Sequence, residues 1–378
     1  MMYFDYSATT PVNEEVLESF NKVCRDYIGN PNSLHRLGVD AKRLMDKATE
    51  QVANLLHVFN DEVIFTSGAS EANNMALIGV IEKYQERGKH IITTKLEHSS
   101  ILSTVNYLKQ KGFIIDYVKI NELGQVDLED LKRLLNNETI LVSIAQVNSE
   151  IGIIQNVSEI GKIVKEYPRC IFHVDGTQAI GKTNVNLENI DLFSFSAHKI
   201  YGLKGIGCLI KKRNIELEPL IHGGKSQTIY RSGTPSLALI VSMSKALKLI
   251  LQGFEQNNKR VFMLNKMLKE CLQECDVIVN SNESCVNHIV NVSVLGVKPE
   301  TLLHALENDN IYISTQTACA SENSYSKAVL ALTKDEERAR SSIRISISYV
   351  TKKEEIDTFL VSLKKHINLL RMTLYENN

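Results

Sequence analysis

No stretch of about 18 uncharged apolar residues occurs anywhere in the 378-residue sequence, so no membrane-spanning helix is expected. The amino end, Met1-Met2-Tyr3-Phe4-Asp5-Tyr6-Ser7, lacks the basic segment and apolar stretch of a secretory leader. Neither sign of charge dominates: 43 Lys and Arg face 44 Asp and Glu, a formal net charge of -1. That balance argues against a nucleic-acid coat or a polybasic membrane binder. Tryptophan is absent, and so are internal repeats and low-complexity linkers. The seven cysteines (Cys24, Cys170, Cys208, Cys271, Cys275, Cys285, Cys319) are odd in number and form no CxxC pair. Neither a disulfide framework nor a zinc ribbon fits, no metal site is expected, and the reading is a reducing cytoplasm.

What is present is ordinary soluble globular composition, 43% hydrophobic and 23% charged. At about 150 residues per domain, the length allows two to three domains and a sizeable core. From about residue 60 to 210, short β-branched runs alternate with helical periodicity. Strands are predicted at 63–66, 90–93, 113–115, 140–144, 171–174, 192–195 and 206–210, with helices over 70–87, 99–110, 128–135 and 157–167. Strands this apolar, separated by helices, belong to a mostly parallel sheet covered on both faces. Beyond about 235 the pattern changes to helices over 237–252, 260–275 and 353–370 with strands at 289–294 and 343–347. The expectation is a large α/β domain over 12–250 and a smaller α+β domain formed by 1–11 and 251–378.

In an open parallel sheet, ligands bind beyond the carboxyl ends of the strands, where helix N-termini supply free amides. Polar residues collect at those ends here. Thr66-Ser67-Gly68-Ala69-Ser70-Glu71 is a small-residue turn opening a helix, able to hold a phosphate, although a cap by Ser67 or Ser70 explains it as well. It matches neither the P-loop nor the dinucleotide-binding glycine pattern. Strand 171–174 runs into Asp175, and strand 192–195 into Ser196-Ala197-His198-Lys199. Alone, Asp175 reads as a turn residue and Lys199 as a solvated lysine. Together at adjacent strand ends they point to a carbonyl-directed lysine, since a desolvated amine becomes a nucleophile. His98 is either a capping residue or a flat ring set against a flat cofactor. Arg344, inside an apolar strand, needs an anion: a protein carboxylate or a substrate's. Cys24, Cys170, Cys208, Cys271 and Cys275 fall in helix or strand patterns where buried thiols are the default, and Cys285 is undecided. Cys319 lies in the polar, small-residue stretch 314–324, which reads as a loop and makes its thiol a candidate nucleophile.

Taken in order, these residues resemble the pyridoxal 5'-phosphate (PLP)-dependent cysteine desulfurases of the NifS/IscS type, within the class V aminotransferase group. The supporting segments include Phe4-Asp5-Tyr6-Ser7-Ala8-Thr9-Thr10, Gly29-Asn30-Pro31-Asn32-Ser33-Leu34-His35, Ser67-Gly68-Ala69-Ser70-Glu71-Ala72-Asn73-Asn74, Glu97-His98 and Asn148-Ser149-Glu150-Ile151-Gly152. Others are His173-Val174-Asp175-Gly176-Thr177-Gln178, Ser196-Ala197-His198-Lys199, His222-Gly223-Gly224, Arg231-Ser232-Gly233-Thr234, Ala318-Cys319 and Ser342-Ile343-Arg344.

The resemblance implies the PLP-transferase fold type I and a set of roles. Lys199 would bind PLP covalently, Asp175 would pair with the pyridinium nitrogen, His98 would stack on the ring and move protons, and Gln178 would bond the phenolic oxygen. Ala69, Ser70, Ser196 and His198 would hold the phosphate, with Thr234 reaching in from the other subunit of a homodimer. Arg344, with Asn148, would bind the carboxylate of L-cysteine. Cys319 would take the substrate sulfur as a persulfide and pass it to an acceptor protein, an iron–sulfur scaffold or a tRNA-thiolation enzyme. The sequence departs from the pattern at Ser149, where a second asparagine is usual, so either the Ser149 hydroxyl or Asn148 contacts the cofactor. Ser70 replaces a usual threonine, Lys225 a glycine, and Thr228 stands where a glutamate normally follows Gln227. Two other readings remain at this point: another PLP lyase such as a selenocysteine lyase, or a non-catalytic nucleotide-binding α/β protein.

Overall fold

The computed structural model describes residues 1–315 and 325–376, so Cys319 lies outside the described residues. A seven-stranded sheet runs in the order 63–66, 207–211, 192–196, 171–175, 139–145, 90–93, 114–117. Its strands alternate faces, as the pleat requires. Phe65, Val142, Phe172 and Phe193 point into one core beneath helices Glu14–Asp26, Arg36–Leu56, Val157–Lys165 and Leu237–Gln252. Ile64, Leu141, Ile171 and Leu192 point into the other, beneath helices Ala69–Tyr84 and Ser99–Gln110. The fold is α/β with a mostly parallel sheet covered by helices, as the sequence predicts.

Several details differ. Strand Gly207–Lys211 runs antiparallel to both neighbours. The connection before it contains only the short turn Ala197–Lys199, and a parallel return needs a crossover of a dozen or more residues. The strand expected at 113–115 lies at Ile114–Tyr117, and the helix expected over 260–275 spans Phe254–Leu272. Cys24, expected to be buried, is exposed, because helix Glu14–Asp26 buries only Val16 and Val23.

A second, antiparallel sheet has the order 314–315, 342–346, 289–293, 278–279. Beside it Met2–Tyr3 pairs with Ile311–Tyr312, and the Phe4 ring packs on Phe359 at 5.0 Å between centroids. Asp5 bridges to Ser346. Anchored there, residues 5–10 cross to the strand ends of the large sheet, where Thr10 N donates to His198 O at 2.9 Å. No single helix among the described residues is long and apolar enough to cross a membrane.

Candidate active site

Strand Leu192–Ser196 ends on buried Ser196, and the chain tightens at once into the turn carrying His198 and Lys199. Lys199 Nζ donates to the carbonyls of Ser7 at 2.5 Å and Ala8 at 2.7 Å. Burial lowers its pKa to about 8; the Arg344 charge adds to this, while Asp5 and Asp175 oppose it. About a tenth of the amine is then uncharged at pH 7, far more than for an ordinary lysine, and attack on a carbonyl requires the uncharged form. His198 is pushed down to about 4 by burial and by Lys199, Lys204 and Lys182, so its ring is neutral; Nδ1 lies 3.2 Å from Thr9 Oγ1.

Helix Ala69–Tyr84 is not capped by Ser67 or Ser70: the cap residue is Gly68, with no side-chain cap. Ser67 N instead donates to Glu71 Oε2 at 2.7 Å. A Cβ on Gly207 would sit 2.6 Å from the Gly68 backbone, so only glycine lets that strand pass so close under the turn. Ser196 Oγ lies 3.9 Å from where a Cβ on Gly68 would stand. The opening of the helix, with Ala69 and Ser70, and Ser196 are thus brought together, an arrangement suited to a phosphate.

Asp175 ends strand Ile171–Asp175, buried, one strand over from Ser194. Its carboxylate accepts from Asn73 Nδ2 at 2.8 Å and from Thr177 N at 2.9 Å. Asn73 Nδ2 also donates to Ser100 Oγ at 2.9 Å, and Ser100 Oγ lies 2.8 Å from His98 Nδ1. His98 caps helix Ser99–Gln110 by accepting from Ser100 N at 3.1 Å, so the Nδ1 lone pair is engaged and the neutral ring carries its proton on Nε2. Burial lowers the His98 pKa; Asp175 opposes this and Lys199 reinforces it. The neutral ring offers Nε2–H as a hydrogen-bond donor, and to pass on a proton it must first take one up. Of the two alternatives expected for His98, the cap is observed. Beside it, burial raises Glu97 to about 8 despite bonds from Thr94 Oγ1 and Ala145 N.

Gln178 Nε2 donates to Ser7 O at 2.8 Å, and its Oε1 accepts from Lys182 Nζ at 2.5 Å. Lysine only donates and a carbonyl only accepts, so the amide orientation is fixed and one N–H is left to offer. Arg344 Nη1 donates to Ser149 O at 2.9 Å and Nη2 to Asp5 Oδ1 at 2.7 Å. Asn148 has its amide committed: Oδ1 accepts from Glu150 N and Ile151 N in its own turn, and Nδ2 donates across to Leu96 O. Thr234 is exposed, in a segment held to helix Ala69–Tyr84 by Arg231 Nε on Glu71 Oε1 at 3.0 Å.

Residues 5–10 link Lys199, Gln178, His198 and Arg344 through hydrogen bonds, Asn73 and Ser100 link Asp175 to His98, and Ser196 stands beside Gly68. Thr234 stands apart in this chain, and Cys319 is outside the described residues. Asn73, Ser100, Asp5 and Lys182 belong to these networks without having been singled out. Among the other thiols, burial raises Cys285 to about 11, which disfavours it as a nucleophile.

The pattern of the family described as aminotransferase class-V matches residues 2–359. The chain belongs to the class V aminotransferase family. A cysteine desulfurase IscS of Buchnera aphidicola subsp. Baizongia pistaciae is 42% identical over 380 residues, covering 98% of this chain and 93% of its relative. A solved NifS-like protein superposes with a TM-score of 0.93 at 35% identity, over 97% of this chain and 99% of its own. SspA, solved in complex with cysteine, gives a TM-score of 0.82 at 32% identity, over 92% and 99% of the two chains. This family member is a PLP-dependent enzyme. Its residues fit the cofactor: an amine held near neutrality, a buried carboxylate backed by neutral donors, an uncapped helix start beside a serine, and an amide with one N–H to spare.

Proposed function

We propose that the protein is a cysteine desulfurase that converts L-cysteine to L-alanine and carries the sulfur as a persulfide. The observation that carries this reading is the pairing of Lys199, with its pKa near 8, and buried Asp175 at neighbouring strand ends of a chain 42% identical to a cysteine desulfurase.

When bound, PLP supplies an electron sink that loosens the bonds of the substrate carbon. Lys199 would hold the cofactor covalently, with Asp175 as the partner of its ring nitrogen and Gln178 giving its spare Nε2–H to the phenolic oxygen. Ala69 N, Ser70, Ser196 and His198 would hold the phosphate, joined by Thr234 from the other subunit of a homodimer. His98 would stack on the ring and relay protons, taking one up before passing it on. The commitment of the Asn148 amide to its own turn and to Leu96 O favours the Ser149 hydroxyl as the cofactor contact, with Asn148 shaping the loop around the substrate. Arg344 binds the substrate carboxylate.

Cys319 acts as thiolate: a sulfur–sulfur bond forms as the substrate Cβ–S bond breaks, and the carbon skeleton takes the electron pair and a proton to leave as L-alanine. The exchange balances without an external oxidant. Persulfide sulfur then goes to an acceptor protein serving iron–sulfur assembly or tRNA thiolation. The six described cysteines are free thiols, which supports a reducing cytoplasm as the site of action.

The test is turnover of L-cysteine with a reductant present. L-Alanine and sulfide should appear in equal amounts. Turnover of L-selenocysteine alone would instead favour a selenocysteine lyase, and the lack of a visible cofactor band would leave a non-catalytic protein.

A further inference from the structure

Arg344 projects from the centre of strand Ser342–Ser346, opposite Asn291 and Ser314 on the two flanking strands. Only 12% of its side chain is exposed. Two of its nitrogens are engaged, Nη1 by Ser149 O and Nη2 by Asp5 Oδ1, while buried Nε has no partner among the described residues. A guanidinium recognises a carboxylate through two parallel N–H donors. Nε and Nη2 make one such edge, and a single oxygen of Asp5 uses half of it. Among the described residues Glu150 is the other acid within reach of the Arg344 charge, but burial raises its pKa toward the neutral form. Asp5 is therefore the counter-charge that an incoming carboxylate must displace.

The Asp5 backbone is fixed independently of its carboxylate. Its carbonyl accepts from Tyr3 Oη at 3.0 Å and from Ala8 N at 2.9 Å, and its main chain bridges to Ser346. The side chain can let go of Arg344 without unmaking the segment.

We propose that Asp5 is a specificity-determining residue whose carboxylate competes with that of the substrate for Arg344, setting how tightly the site takes an α-amino acid. This rests on the reading of Arg344 as the carboxylate clamp. Substrate and product share the same carboxylate, so an internal competitor weakens both alike and shortens the stay of L-alanine. Uniform tightening of both would lower KM without speeding the chemical step.

The test compares L-cysteine, its methyl ester and inhibition by L-alanine in the holoenzyme. In Asp5→Asn the KM for L-cysteine and the inhibition constant of L-alanine should both fall about tenfold, as expected for releasing one charged hydrogen bond. The KM for the methyl ester should not move. Arg344→Ala should abolish the preference for acid over ester. If Arg344→Ala abolishes that preference but Asp5→Asn leaves or raises the KM for L-cysteine, the Asp5 proposal is overturned and the clamp stands. If Arg344→Ala keeps the preference, the clamp itself is overturned. Should Asp5→Asn fail to fold, Asp5→Ser removes the same charge and must give the same fall.

Discussion

On the seven-stranded sheet, Asp175 is held by neutral donors, the Asn73 amide and the Thr177 N–H, whereas on the four-stranded sheet Arg344 is met by a full opposite charge on Asp5. A carboxylate steadied by neutral groups keeps its charge for a cation that stays, such as the ring nitrogen of a resident cofactor. A guanidinium already paired can only exchange partners. That suits a ligand that arrives and leaves in every turnover. Lys199 sits where the two meet: both Asp5 and Asp175 raise its pKa, while burial and Arg344 lower it.

The sharpest way to break the cofactor side is Lys199→Ala, which should abolish both turnover and borohydride-stable labelling by PLP. Labelling retained on another peptide would remove Lys199 from its role. Asp175→Asn should keep the fold, since the Asn oxygen can still accept from Thr177 N and Asn73 can turn its unpartnered Oδ1 to the new NH2, yet lower kcat on the order of a hundredfold, as for other preorganised electrostatic partners. Near-normal turnover would contradict the pairing. On the substrate side, Arg344→Ala should cost about 1.5–3 kcal/mol in binding, roughly one to two decades in KM, with smaller change in kcat. A kcat loss at constant KM would reverse the assignment of the two sides. The smallest effect concerns pH. With the Lys199 pKa brought from 10.5 to about 8, the uncharged amine is scarce below that value and complete above it. PLP uptake by cofactor-free protein should quicken about tenfold per pH unit up to roughly 8 and then level off. A rise continuing to pH 10 would show that Lys199 is not depressed.

Much of this was legible in the sequence, and the part that was not has physical reasons. Strand ends at Asp175 and Ser196 follow from apolar runs that stop at polar residues, so the residues on them were found. Helix Arg36–Leu56 escaped because four of the seven residues it buries, Gly38, Ala41, Ala48 and Ala53, are small and dilute the apolar stripe of Met45, Val52 and Leu56. The antiparallel strand Gly207–Lys211 was readable from the lack of a helix between it and Ser196, yet period-two patterning carries no direction. The counter-charge of Arg344 was out of reach: Asp5 lies 339 positions away, and only the pairing of Met2–Tyr3 with Ile311–Tyr312 brings it alongside. Asn73 and Ser100 looked like polar helix residues until their side chains were seen to join Asp175 to His98.

The central claim is that sulfur leaves L-cysteine for Cys319, and mass spectrometry of peptides after a brief L-cysteine pulse tests it most directly. One added sulfur should appear on the peptide containing Cys319, and Cys319→Ser should lose it together with sulfide release while keeping the visible cofactor spectrum. Added sulfur on Cys285, or undiminished sulfide release in Cys319→Ser, would contradict the account.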